Sequence, residues 1–269
     1  MSALELRGAA PLIDLTPSGD SILDVSVSVV IPTLNEARNL PYVLAELPAA
    51  YEVIVVDGLS TDGTADVARA LRPDARVLRQ RRKGKGDALA RGFAAATGDI
   101  IVMLDADGSA DPHEIPRFVE ALRAGADFAK GSRFLDGGGS ADITVLRRMG
   151  NTALTMAVNR IFGCRYTDLC YGYNAFWRHC LDELAVCCDG FEVETSINVQ
   201  VAKLGLAVTE VPSFERNRFH GVSNLNAFRD GRRVLQTIVA EWILPRRAAR
   251  IEAVIDLTDT AGELHAVQA

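Results

Sequence analysis

The chain has 269 residues, 48% of them hydrophobic and 24% charged, with a formal net charge of -6. That composition describes an ordinary globular protein with a real core and excludes disordered, collagen-like and linker-dominated classes. The acidic balance argues against a nucleic-acid partner. Five cysteines without C-x-x-C spacing argue against a disulfide framework or zinc site and suit reduced thiols.

Residues 1–24 lack sustained periodicity and the basic, then apolar, pattern of a signal peptide; they read as a loosely ordered segment. Residues 25–245 read as one α/β domain, and 246–269 as a tail. Val25–Ile31, Tyr51–Asp57, Ala75–Arg79 and Ile100–Asp105 are expected strands separated by amphipathic helical stretches. Val53 to Val56 and Ile100 to Leu104 are apolar at successive positions, the pattern of a mostly parallel central sheet covered by helices on both faces. Lys83-Gly84-Lys85-Gly86 leads into a helix over Asp87–Ala96, and Asp111-Pro112-His113-Glu114 caps another that ends near Gly125. Beyond Gly137–Gly139, helices are expected over Ile143–Phe162, stopping at Gly163, and over Phe191–Leu204. The apolar stretch 234–244 is bracketed by Arg232-Arg233 and Arg246-Arg247. It suits either a helix lying on anionic lipid or a core-facing helix, and the second is preferred. No apolar run reaches about 18 residues, the least that crosses a bilayer as a helix.

In open α/β sheets ligands bind beyond the carboxyl ends of the strands. There the chain places Pro32-Thr33-Leu34-Asn35-Glu36, Asp57 and Asp105-Ala106-Asp107. Two carboxylates flanking one small residue can share a hard cation, Mg or Mn, that keeps positions open for a substrate diphosphate. Alone, D-x-D fits a solvated strand end with an Asx turn equally well. Gly84-Lys85-Gly86 before a helix suits an anion, although a solvated basic turn has the same composition and the Walker spacing is absent.

Val29 to Glu36, Val55-Val56-Asp57, Gly84-Lys85-Gly86 and Asp105-Ala106-Asp107, in that order, resemble family 2 glycosyltransferases of the GT-A fold, in particular their dolichyl-phosphate mannosyltransferase-like group. The likeness covers about residues 25 to 225. It implies a Rossmann-like nucleotide-sugar half, 25–130, and an acceptor half, 131–245. By resemblance Pro32, Asn35, Glu36, Asp57 and Lys85 line the nucleotide pocket, while Asp105, Ala106 and Asp107 carry metal and diphosphate. Arg218 and Ser223, in Arg218-Phe219-His220-Gly221-Val222-Ser223, resemble a loop that closes over the donor, with His220 a candidate further metal ligand. Arg133, Arg147 or Arg148, Asn151 and Asn174 fall on the acceptor side. Asp107 would act in catalysis through the leaving diphosphate, and Glu194, Glu192 or Asp168 are candidate general bases for a hydroxyl acceptor. Glu192 and Glu194 equally suit a helix first turn. The chain departs from the family at Gly58, where a second Asp is frequent, and at Ser109, where related mannosyltransferases often have Gln. The Q-x-x-R-W box of processive synthases is missing, which implies single transfer.

The reading is a metal-dependent inverting transferase that moves one hexose from a GDP- or UDP-sugar to a polyprenyl phosphate. The alternative keeps the transfer but uses a hydroxyl of a soluble metabolite or saccharide. A nucleotide-binding module without turnover and a nucleotidyltransferase are the rivals from other classes. A cytoplasmic location follows, with peripheral contact at the inner membrane face as one option, and self-association is left open.

Overall fold

Successive side chains of a strand point to opposite faces, so unbroken apolar runs must feed two cores. The computed structural model describes residues 25–186, 190–221 and 227–244. Its first half alternates β1 (Val27–Thr33), α1 (Leu40–Ala45), β2 (Glu52–Asp57), α2 (Thr64–Leu71), β3 (Arg76–Arg79), α3 (Lys85–Ala95), β4 (Ile100–Met103) and α4 (Ile115–Arg123). Val29, Ile31, Val53, Val55, Ile100 and Val102 join one core with Leu40 and Val43 of α1 and Phe118 and Leu122 of α4. Val30, Ile54, Val56, Ile101 and Met103 join the other with Leu89 and Phe93 of α3. Each aliphatic side chain buried this way is worth roughly 1.5–3 kcal/mol.

The second half adds β5 (Phe128–Ser132), β6 (Gly139–Ser140), α5 (Val145–Phe162), β7 (Asn174–Trp177), α6 (Val193–Leu204), β8 (Val208–Pro212), β9 (Phe214–Glu215) and α7 (Ala227–Ile243). The seven-stranded sheet has the order β3-β2-β1-β4-β7-β5-β8, and β6 pairs with β9 apart from it. All its pairings are parallel except those of β7, which runs antiparallel between β4 and β5. The expected mostly parallel, helix-covered sheet is the one observed.

Boundaries moved where hydrogen bonding outlasted the apolar pattern. The first strand runs on through Pro32 to Thr33, whose carbonyl accepts from Gly58 N–H at 2.7 Å. The fourth stops at Met103, because the chain turns at the polar residues that follow. The helix expected from Asp87 starts at Lys85, and α5 ends at Gly163 as expected. Of the stretch 234–244, Val234 and Ile238 are buried in a third cluster with Val158 of α5 and Val199 of α6, so the core-facing reading holds for that side. Its other side is exposed: Leu235, Val239 and Trp242 face outward. No described helix is long and apolar enough to cross a membrane.

Candidate active site

The pairing register brings the polar strand ends together. Thr33 lies opposite Asp57, and Leu104, one residue before Asp105, donates its N–H to Val30 carbonyl at 3.1 Å. Asp57 is buried and accepts from Ser60 N–H at 3.3 Å. Asn35 adopts a left-handed backbone (φ 58°) and ties the loops after β1 and β2 to each other: its Oδ1 accepts from Thr61 N–H at 2.9 Å, and its own N–H donates to Ser60 Oγ at 2.8 Å. Glu36 accepts from Asn39 Nδ2 at 2.6 Å. Burial raises the Glu36 pKa, and the nearby Asp107 and Asp105 add to the rise against the opposing pull of Asn39 and Arg218.

Each acid of the D-x-D already faces a cation of the chain. Lys85 Nζ lies 2.5 Å from Asp105 Oδ1 and 2.5 Å from Glu194 Oε1. Lys85 is the first residue of α3, the end of a helix that repels cations, so these carboxylates are what hold it there. Burial works against its charge, but Asp105 and Glu194 outweigh burial and raise its pKa, so it stays an ammonium. Gly172 makes room for the pair: a Cβ there would collide with the Glu194 carboxylate and lie 3.2 Å from Lys85 Nζ. Asp107 Oδ1 accepts from Ser109 N–H at 2.9 Å, the Asx turn the composition allowed, while its Oδ2 lies 3.2 Å from Arg218 Nη2. Ala106 between them is buried. Hard carboxylate oxygens that already hold cations at a strand end fit Mg or Mn.

The segment after β9 is latched across this turn. Arg216 N–H donates to Ser109 carbonyl at 2.7 Å and Phe219 N–H to Asp107 carbonyl at 3.2 Å. Arg216 also pairs with Asp111. Phe219 stacks on Tyr42 with ring centroids 4.5 Å apart, and it covers Gly108, where any side chain would run into its ring. Asn39 Nδ2 donates to His220 carbonyl at 3.2 Å. The His220 ring lies 5.9 Å from that of Tyr42. Ser223 lies outside the described residues. Among the described residues, a set of potential ligand atoms converges elsewhere, at Glu46, Asp111 and His113, where Arg216 already neutralises two of the three.

The acceptor-side candidates split. Arg133 grips Asp168 with Nε at 2.7 Å and Nη2 at 3.0 Å and reaches Glu215 with Nη1 at 3.1 Å. Asn151 Nδ2 donates to Asp168 Oδ1 at 3.1 Å, and Asn151 Oδ1 accepts from Cys170 N–H at 3.0 Å. Asp168 is wholly buried, and its pKa is lowered because Arg133 outweighs the burial that would raise it. Arg147 pairs with Asp142 at 3.2 Å, and the exposed Arg148 lies over the Phe134 ring, so the two arginines at the start of α5 have different settings. Asn174 is buried opposite Met103 and Lys130, with its Oδ1 unpartnered. Glu194 faces Lys85, whereas Glu192 is turned back on Gly190 N–H at 3.2 Å. Neither Tyr42 nor Asn39 was expected from the sequence; only the spacing of Asn39, three residues after Glu36, gave a signal. Surface depressions of about 390 and 380 Å³, lined by Phe93 and Arg178 and by Phe162 and Tyr166, contain none of these residues.

The mostly parallel α/β sheet flanked by helices is the fold of the GT-A glycosyltransferases. Residues 28–184 match the glycosyl transferase family 2 model. The chain is 33% identical over 244 residues to the undecaprenyl-phosphate mannosyltransferase of Micrococcus luteus, covering 86% of this chain and 99% of the relative. It is 32% identical to the polyprenol monophosphomannose synthase of Mycolicibacterium smegmatis, covering 84% and 90%. The glucosyl-3-phosphoglycerate synthase of Mycobacterium tuberculosis, crystallised with Mn2+, UDP and glucosyl-3-phosphoglycerate, superposes with a TM-score of 0.67 at 26% identity, covering 82% of this chain and 81% of that one. This chain belongs to glycosyltransferase family 2, and it is a hexosyltransferase.

Proposed function

We propose that the protein transfers one hexose from a nucleotide-diphosphate sugar, of the GDP-mannose or UDP-glucose type, to a polyprenyl phosphate with inversion at the anomeric carbon. The observation that carries the donor side is the convergence of Glu36, Asp57, Lys85, Asp105, Asp107 and Arg218 at one sheet edge. A Mg or Mn ion held by Asp105 and Asp107 would neutralise charge on the departing diphosphate. Arg218 and Lys85 would supply fixed positive charge to the same group, and a charge placed in advance lowers the barrier most. Pro32, Asn35, Glu36 and Asp57 would hold the nucleoside, with Phe219 and Tyr42 closing over it. His220 would add a further metal ligand, and weaker Mn2+ binding by His220→Ala in a titration would show it.

The lipid acceptor is supported by the two polyprenyl-phosphate relatives and by the surface of α5 and α7. Val145, Met149 and Met156 lie on one side of α5, and Phe228, Leu235, Val239 and Trp242 form a stripe along α7, all exposed. Together these helices carry six arginines against two acids in a chain of net charge -6. Apolar stripes among arginines complement an anionic bilayer surface, beside which Arg147 and Arg148 would meet the lipid phosphate. A phosphate oxygen is already anionic at neutral pH and needs no general base. Arg133, Asn151 and Asp168 then hold the acceptor side in shape, and Asn174 backs it. The second reading, a soluble acceptor, is favoured by the phosphoglycerate-bound neighbour and by Glu194, which would then serve as base.

Purified protein with Mg or Mn, a donor panel and polyprenyl phosphate in anionic vesicles should release the nucleoside diphosphate and yield a lipid-linked hexose. Donor-dependent product without lipid, lost in Glu194→Gln, would establish the soluble acceptor instead.

A further inference from the structure

The acid pair carries two protein cations, and their placement has consequences for binding. Glu36, Asp57, Asp105, Asp107 and Glu194 crowd one strand edge with Lys85 and Arg218 among them, so carboxylates outnumber cations. A diphosphate entering alone meets an excess of negative charge. A divalent ion entering alone must displace Lys85 from Asp105 and Arg218 from Asp107, leaving an ammonium and a guanidinium in a half-buried pocket with less to pair with. When both arrive, the ion takes the carboxylates and the displaced cations take the phosphate oxygens. Neither cation travels far. Lys85 stays tethered by Glu194 at 2.5 Å, and Arg218 is fixed by the bond of the next residue, Phe219 N–H, to Asp107 carbonyl at 3.2 Å.

We propose that Lys85 and Arg218 are exchangeable counter-ions that make metal and diphosphate binding mutually dependent, so that the site rejects either component alone. The inference rests on the donor-site reading above and adds to it a coupling between the two ligands. Coupling of this kind is reciprocal: whatever factor the diphosphate adds to metal affinity, the metal adds to diphosphate affinity. Lys85 is thus a positioning residue for the acid pair before the donor binds and a phosphate partner afterwards.

The test is calorimetric titration of the full chain with Mn2+ alone, with UDP or GDP alone in chelator, and with each in the presence of the other, corrected for Mn2+–nucleotide association in solution. Each ligand should tighten the other at least about tenfold, within the usual roughly 5–150-fold range of coupled sites. Lys85→Met should bind Mn2+ alone severalfold more tightly than wild type and lose most of the coupling, while Lys85→Arg should retain it. Arg218→Gln, on a partly exposed loop and without consequence for the core, should repeat the gain in bare-metal affinity at Asp107. Metal affinity unchanged or weaker in both Lys85→Met and Arg218→Gln, or coupling intact in both, overturns the proposal. Failure of wild-type protein to bind Mn2+ and nucleotide together would overturn the donor-site reading itself. Independent binding of the two by wild type would overturn only the exchange.

Discussion

The two halves of the molecule use the same chemistry, basic side chains gripping carboxylates, to opposite ends. In the second half of the chain, the side chains of Arg133, Asp168 and Glu215 are 4%, 0% and 11% exposed, and Arg133 and Asn151 between them satisfy Asp168. At the D-x-D turn Lys85 and Asp107 are 12% and 14% exposed, but their partners Asp105 and Arg218 are 39% and 23%, so each of these pairs keeps one member in reach of solvent. A sealed, fully bonded ion pair is costly to open and holds β5, α5 and β9 in register. A partly solvated pair can trade partners at little cost. Solvent access at Asp105 and Arg218, more than residue type, separates this turn from the sealed network.

Breaking the sealed network should have the largest effect on stability. Asp168→Asn leaves the Arg133 guanidinium buried with less counter-charge, a change that typically costs about 3–5 kcal/mol. Urea unfolding should show the loss, and Arg133→Met combined with Asp168→Leu should recover part of it, since the one carboxylate then left without a cation, Glu215, keeps the Ser140 hydroxyl as a donor. Equal instability of single and double variants would mean that packing, not charge, dominates there. On the donor side the expectation reverses. Asp105→Asn or Asp107→Asn should lower transfer by about 100-fold or more, the scale for removing one preorganised electrostatic contact, with thermal midpoints near wild type. A large fall in midpoint would place these acids with the scaffold.

Acid titration sharpens the same contrast. The folded Asp168 carboxyl lies below its ordinary value, so its contribution to stability is complete above the unfolded pKa, near 3.9, and is lost as pH falls through the folded value. The stability difference between wild type and Asp168→Asn should therefore be flat from neutral pH to about 5 and shrink below about 4. Other depressed carboxylates, such as Asp87 and Glu52, are common to both proteins and cancel in the difference. A difference that persists unchanged to pH 2 would contradict the ion pair.

What the sequence revealed follows from the range of the interactions involved. The strands and the position of the acid pair were readable because an apolar run ending in carboxylates is a local signal, with its burial pattern set by neighbouring residues. Lys85 was readable as an anion-facing cation, but its partner Glu194 is 109 residues away, and nothing local announces the pairing. Asp168 resembled a candidate base because a lone carboxylate gives no hint of Arg133, 35 residues earlier, which encloses it. β7 gave no signal because Asn174–Trp177 is only four residues long, too short for an alternation pattern to stand out.

The smallest effect expected is at the loop that spans the donor half. Phe219 stacks on Tyr42 although both rings remain nearly half exposed, 42% and 46%, so the contact adds little to the core. Aromatic pairs contribute about 0.5–1.5 kcal/mol beyond area burial. Losing this one in Tyr42→Ala should lower the unfolding midpoint by no more than a few degrees while weakening Mn2+-supported nucleotide binding by about threefold to tenfold. The weakening should appear as faster dissociation, because a latch that closes after entry slows exit more than it speeds arrival. Tyr42→Phe keeps the ring and should bind like wild type. Equal weakening in both variants would assign the effect to the hydroxyl and remove the stack from the account of how the loop is held.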